Sequence, residues 1–161
     1  MLAEIRGISH SLHPAVLDHL GFEQAAVTLA QNLAKANAQE IEIDFPGERM
    51  PLTKNQALQL YRIVQELLSN ALKHAGAKTI RLALSSEGGE RALSVSDDGV
   101  GLPGAADMTG QGGVGMRILA QRVASLPGAM DITSNGEGTR ITVRFAPGSV
   151  GNEDASDGSR P

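Results

Sequence analysis

The chain has 161 residues, 41% of them hydrophobic, which fits one domain with one core. Aromatic residues are only 2% with no Trp, so an aliphatic core is expected and a stacking platform for nucleic-acid bases is not. Fourteen Lys and Arg against 18 Asp and Glu leave a formal charge of -4, the wrong sign for coating phosphate backbones, and the absence of Cys removes disulfides and thiolate metal sites.

In chain order, Leu2, Ile5, Ile8 and Leu12 keep a helical rhythm that Pro14 breaks, which reads as the tail of a longer helix. From Phe22 to Ala36, apolar residues recur at three and four, the pattern of an amphipathic helix. Glu40 to Phe45 alternates Ile41, Ile43 and Phe45 with acids and ends at Pro46-Gly47, as a strand does. A second helix is expected at about Lys54 to Ala75, with Thr53 as N-cap, Gln56 three residues on, and Gly76 beyond the last turn. Alternation over Thr79 to Leu84 and Arg91 to Ser96, split by Gly88-Gly89, marks a hairpin. After a glycine-rich stretch from Gly99 to Gly115, Met116, Leu119, Ala120 and Val123 restore a helix that stops at Pro127-Gly128. Met130 and Ile132, then Ile141, Val143 and Phe145, form two strands joined through Asn135-Gly136. That order predicts a two-layer α/β sandwich, with a mixed, mostly antiparallel sheet covered on one face by helices. The stretch beyond Pro147 lacks apolar residues and is expected to be a disordered tail. Neither a signal peptide nor an apolar span of about 20 residues is present, so a soluble, cytoplasmic chain without membrane contact is expected.

Chemistry concentrates at four places. On a helical wheel at about 100° per residue, Asn70 lies roughly 40° from Glu66 and Lys73 roughly 20° to its other side, opposite the apolar face. Three polar residues on a helix are most often a solvated face, but this stripe ends at the basic pair Lys73-His74 rather than scattering both signs. The set suits phosphoryl transfer: an amide oxygen for Mg, a carboxylate to position or deprotonate a nucleophile, and a cation for phosphate. Asp97, at a strand end before Gly99 and Gly101, can accept a hydrogen bond from an adenine amino group. Two glycines there point to a backbone that a flat ligand can approach closely. The run Gly110-Gln111-Gly112-Gly113-Val114-Gly115 opens onto a helix, whose free amides favour phosphate. It formally matches a dinucleotide fingerprint, yet no strand precedes it directly, and no P-loop motif is present. Last, Gly136-Glu137-Gly138-Thr139 reads as a hairpin turn with a hydroxyl available to a base or a bridging water.

Taken in order, Glu66-Leu-Leu-Ser-Asn70-Ala-Leu-Lys73-His74, Asp97-Asp-Gly99-Val-Gly101, Gly113-Val-Gly115-Met and Gly136-Glu-Gly138-Thr139 resemble the four nucleotide-binding boxes of the histidine-kinase ATPase domain. The resemblance runs from about Phe22 to Phe145 and implies the Bergerat-type ATP-binding fold, shared with gyrase-type topoisomerases, Hsp90 chaperones, MutL-type repair proteins and anti-sigma factor kinases. Within that superfamily, Ser9-His10-Ser-Leu12-His13-Pro14 through Leu20-Gly21-Phe22 looks like the short-lidded kinases related to nitrate and cell-envelope sensors. It implies a tail of the dimerisation domain with its linker over residues 1–21, an ATP-binding catalytic domain over 22–146 and a disordered tail over 147–161.

The implied roles are these. Glu66 positions or activates an accepting imidazole, Asn70 ligates Mg, and Lys73 with His74 addresses phosphates. Asp97 holds the adenine amino group, with Gly99 and Gly101 as its backbone wall, and Thr139 meets the base through water. Gly113 and Gly115 form the phosphate lid, with Val114 and Met116 in the same ATP-binding box, whose first glycine is Gly110 or Gly112. In the resembled family the phosphoacceptor His precedes an acidic residue. Here His10, His13, His19 and His74 precede Ser, Pro, Leu and Ala, so the acceptor is expected on a dimerisation segment of the full-length protein outside this chain. The implied function is transfer of the γ-phosphoryl of MgATP to that histidine, with a response regulator downstream. The alternative is an ATP-dependent interaction module of the anti-sigma type.

Overall fold

The computed structural model describes residues 14–74, 76–102 and 114–148, and of His74 and Glu87 the backbone alone. Along the chain run α1 (Ala15–Asn37), β1 (Glu40–Asp44), α2 (Lys54–His74), β2 (Thr79–Glu87), β3 (Glu90–Asp97), α3 (Val114–Ala124), β4 (Gly128–Asn135) and β5 (Gly138–Phe145). The strands form one sheet in the order β1-β2-β3-β5-β4. Its pairings are antiparallel except that β1 lies parallel to β2, with Ile41 beside Ile80. The mixed sandwich expected from the sequence is therefore present. The parallel β1–β2 pair is an addition to the hairpin reading, because alternation marks a strand without saying how it pairs; here α2 is the crossover that makes the parallel pairing possible.

Helix α2 owes its start to a reciprocal cap. Gln56 N donates to Thr53 Oγ1 at 3.2 Å, and Thr53 N donates to Gln56 Oε1 at 3.1 Å. This satisfies two backbone donors that a helix start would otherwise leave open. The same Gln56 Oε1 accepts from Gly148 N at 3.0 Å, and Gln56 Nε2 donates to the Ala146 oxygen at 3.3 Å, which ties the chain leaving β5 to the first turn of α2.

The apolar periodicities meet in one core. Alternating residues of β2, β3 and β5 are buried, among them Ile80, Leu82 and Leu84, Leu93 and Val95, and Ile141, Val143 and Phe145. Against them pack Leu60, Ile63, Val64, Leu67 and Leu68 of α2, with Leu119 and Val123 of α3. Each such aliphatic side chain stabilises the fold by about 1.5 to 3 kcal/mol. Ala25, Ala26 and Ala30 of α1 are fully buried, and their small side chains let α1 approach α2 closely. The other face of the sheet carries exposed charge, including an Arg81–Asp44 pair at 2.5 Å and an Arg144–Asp131 pair.

Helix α1 departs from expectation at its start. It is two helical pieces meeting at Gly21, whose backbone is non-helical at φ 81° and ψ 173°. The expected helix from Phe22 is there, with Phe22 stacked on Phe45 at 6.4 Å between ring centroids. Residues Ala15–Leu20 form a further helical piece, because Leu17 is buried in the core. Residues 1–13 and 149–161, and with them the expected helical tail and all but the first two residues of the expected disordered tail, lie outside the described residues, and of those two Gly148 is bonded to Gln56.

Candidate functional site

The four sequence boxes converge through register and connection length. Helix α2 ends at His74, and β2 starts at Thr79, so the last turns of α2 stand at the starting edge of β2. Across that edge Ile80 pairs with Asp97, and Asp97 in turn pairs with Thr139. Asn70, Lys73, Asp97 and Thr139 thus share one end of the sandwich.

One half of the site is the seam between α2 and α3. Gly115, in the first turn of α3, faces the polar stripe of α2: a Cβ built on it would stand 2.4 Å from Glu66 Oε1 and 3.7 Å from Asn70 Oδ1. Glu66 and Asn70 are half-buried there, and Lys73 is exposed. Farther along, Arg122 Nη1 donates to Gln59 Oε1 at 3.2 Å, so α3 runs antiparallel down α2. Between these contacts Arg62 is buried at 7% exposure. Burial, and then the neighbouring Arg122 guanidinium, holds its pKa below the ordinary range.

This arrangement presents a carboxylate and an amide oxygen to a helix N-terminus, whose free amides attract anions. The oxygen donors of Glu66 and Asn70 suit a hard cation such as Mg. Among the described residues no three His, Cys, Asp or Glu gather into a metal cage. A Mg ion at Asn70 would accordingly take most of its ligands from phosphate oxygens and water.

The other half is the sheet end. Asp97 Oδ1 accepts from Gly99 N at 2.9 Å, which folds the chain sharply after β3. Gly99 is buried and Thr139 is 9% exposed. Two of the other box glycines, Gly101 and Gly138, serve a contact that the sequence does not reveal. A Cβ at Gly101 would lie 2.0 Å from the Asn135 carbonyl oxygen, and one at Gly138 would lie 2.0 Å from that of Asp97. Gly101 was expected to make room for a flat ligand; what stands against it is the backbone of the β4–β5 turn.

Two residues missed in the sequence hold this end together. Ser134 Oγ accepts from Leu102 N at 2.7 Å and lies 3.0 Å from Thr139 Oγ1, joining the loop after β3 to the start of β5. Its signal was available: Ser134 continues the inward alternation of Met130 and Ile132, where a polar residue needs a partner. Asp98 Oδ1 accepts from Lys78 N at 2.8 Å and Thr79 N at 3.0 Å. The backbone bond from Thr79 leads the causes that hold its carboxyl below the usual carboxylate range.

A hollow of about 400 Å³ also touches Asp97 and Thr139, but its walls include Arg81, Ser96, Thr133 and Arg140. Those side chains alternate onto the uncovered face of the sheet, whereas Glu66 and Asn70 belong to the helical layer. Of the expected site residues, Gly110, Gly112, Gly113 and the side chain of His74 lie outside the described residues. Val114, exposed at 64%, and half-buried Met116 lie in the first turn of α3 on either side of Gly115.

Comparison with known proteins bears on this geometry. The chain is 37% identical over 143 residues to the sensor histidine kinase MctS of Rhizobium johnstonii, covering 88% of this chain and 31% of that protein. It is 31% identical over 145 residues to the sensor histidine kinase NarS of Mycobacterium tuberculosis, covering 88% of this chain and 33% of that one. The chain thus spans about a third of the length of these relatives. Among solved structures, the histidine kinase domain of the Erythrobacter litoralis EL346 blue-light activated histidine kinase superposes with a TM-score of 0.68 at 25% identity, over 77% of this chain and 64% of that one. The profile of the family described as "Histidine kinase-, DNA gyrase B-, and HSP90-like ATPase" matches residues 55–149, which include α2, both glycine loops and the last strand, and the chain belongs to that ATP-binding family.

Proposed function

We propose that this chain binds MgATP between α2, α3 and the sheet end, and donates the γ-phosphoryl group to a histidine on a dimerisation segment outside it. The observation that carries the reading is the closure of Gly115 on Glu66 and Asn70, which sets phosphate-binding amides beside a carboxylate and an amide oxygen. In this reading Asp97 receives the adenine amino group and Thr139 meets the base through water. Gly99 and Gly101 keep the backbone wall in place, and Lys73 and His74 address the phosphates. Gly113, Val114, Gly115 and Met116, with Gly110 or Gly112, close over the phosphates.

Asn70 would hold Mg, which would supply positive charge to offset the charge that develops on the phosphates during transfer. The accepting imidazole nitrogen forms a bond to the γ-phosphorus as the bond to the β–γ bridging oxygen breaks. ADP leaves with that electron pair, and Glu66 accepts the imidazole proton or its hydrogen bond. A response regulator then takes the phosphoryl group from the histidine. The residues up to 21 carry the chain from the dimerisation segment, 22–146 are the catalytic unit, and 147–161 are a tail. A cytoplasmic location follows from the need for ATP; among the described residues no helix is long and apolar enough to cross a membrane.

The test is calorimetry against MgATP, ADP and NAD, followed by labelled ATP with a matching dimerisation segment. Tight binding of MgATP over NAD and an acid-labile phosphohistidine are expected. Binding without transfer, together with nucleotide-dependent capture of a transcription regulator, would replace the kinase reading with the anti-sigma-type module.

A further inference from the structure

The helical piece Ala15–Leu20 is too short to sustain itself, since isolated helices of fewer than about 12 residues are marginal in water. Leu17 is its one buried side chain, Val16 is half-buried, and Asp18, His19 and Leu20 are exposed. A cavity of about 210 Å³ bounded by Leu17, Gly21, Glu23, Arg49 and Lys54 lies between it and the start of α2. Leu17 and Val16 therefore pack on the core while the side of the piece toward α2 is left without close packing.

Two polar ties join the β1–α2 loop to α1, one to the end of residues 15–20 and one just past the break at Gly21, where it fixes the loop that carries Arg49. Arg49 Nη2 donates to the Leu20 carbonyl oxygen at 2.9 Å, and Met50 N donates to Glu23 Oε1 at 2.6 Å. The break at Gly21 leaves carbonyls at the end of the first piece without helical partners. A guanidinium at that end satisfies one of them and complements the negative end of the helix dipole. Glu23 lies in the first turn after the break, where a carboxylate is favoured for the opposite reason. Both groups converge on Gly21: a Cβ there would be 3.8 Å from the Arg49 guanidinium carbon and from Glu23 Oε2.

We propose that Arg49 is a positioning residue that, with Glu23, clamps residues 15–20 to the ATP-binding domain as a fixed elbow, so that the chain arrives at Pro14 in one direction. Its consequence for phosphoryl transfer rests on the kinase reading above, in which a histidine-bearing segment lies upstream. The elbow then sets where that histidine meets Glu66. Arg49 lies beside the first turn of α2, whose first residue is roughly 24 Å along the helix from Asn70.

Hydrogen exchange on the 161-residue chain tests the clamp. In Arg49→Met, which keeps the apolar stem and removes the donors, the amides of Leu17 to Leu20 should exchange about tenfold faster while those of α2 and β3 are unchanged. Arg49→Lys, which restores a cationic donor, should recover most of the protection. Equal exchange in Arg49→Met and wild type overturns the clamp. In the full-length protein, Arg49→Met should lower kcat for phosphohistidine formation about tenfold at unchanged KM for ATP, again with recovery in Arg49→Lys. Faster exchange with unaltered kcat overturns the positioning role. A wild-type protein that forms no phosphohistidine overturns the kinase reading and that role together, and the exchange result still decides the clamp.

Discussion

Gly138 meets Asp97 backbone to backbone: any Cβ at Gly138 would stand 2.0 Å from the Asp97 carbonyl oxygen, at a φ of 144°. The start of β5 is thereby pressed onto the end of β3 where the adenine-binding residues are proposed. No flexible side chain can yield at this contact, and the backbone conformation is one that L residues rarely adopt. Gly138→Ala should destabilise the fold by about 2 to 4 kcal/mol, measured by urea denaturation. An unchanged midpoint would contradict the contact.

Gly115 offers the contrasting case. Its Cβ would strike Glu66 Oε1 at 2.4 Å, the far end of a side chain that can swing away. In the first turn of α3 an alanine is also at least as good a helix former as glycine. Gly115→Ala should therefore leave thermal stability equal or slightly raised, while the displaced carboxylate lowers kcat for transfer at least tenfold with little change in KM for ATP. Parallel losses in stability and kcat would show that the glycine serves the fold instead.

Ser134→Ala should cost about 1 to 3 kcal/mol, because the Leu102 amide and the Thr139 hydroxyl lose a shared partner. The loosened loop after β3 should also weaken ATP binding. Denaturant titration and calorimetry on one variant give both numbers.

Asp97→Ala should lower affinity for ATP by about 2 to 3 kcal/mol, since in the proposed pocket it leaves the adenine amino group unpaired. Affinity for an analogue without that amino group should change far less. Equal losses for both nucleotides would place the adenine elsewhere.

Asp98 predicts a pH dependence. Its carboxyl is held below the ordinary value of 3.8, chiefly by the Thr79 amide, so the unfolded chain binds more protons in the window between the folded value and 3.8. Its contribution is present above 3.8 and is lost as pH falls through the folded value. Urea midpoints of the wild type should drop across that acid window, and Asp98→Asn, which keeps an acceptor oxygen but cannot titrate, should show a shallower drop.

The sequence alone determined most of the elements and the spacing of the helix stripe. Thr53 and Gln56 announce the start of α2 because a capping box is local, closed within four residues. The apolar period of α2 placed Glu66, Asn70 and Lys73 on one face for the same reason: helix geometry depends only on neighbours in the chain. The alternation that marked the strands also follows burial, with Ile80, Leu93, Val95 and Val143 fully or nearly fully buried.

Tertiary structure decided what lies far apart in the chain. That Gly101 accommodates the Asn135 carbonyl, that Gly138 accommodates the Asp97 carbonyl, and that Ser134 is the hub between two boxes all follow from the pairing of β3, β4 and β5. The parallel placement of β1 and the docking of residues 15–20 through Leu17 and Arg49 have the same origin. Such contacts depend on register and on the free energy of burying a whole face, which no short window of sequence contains. The glycines could be read as necessary from their spacing, but what they make room for became visible only once the strands were side by side.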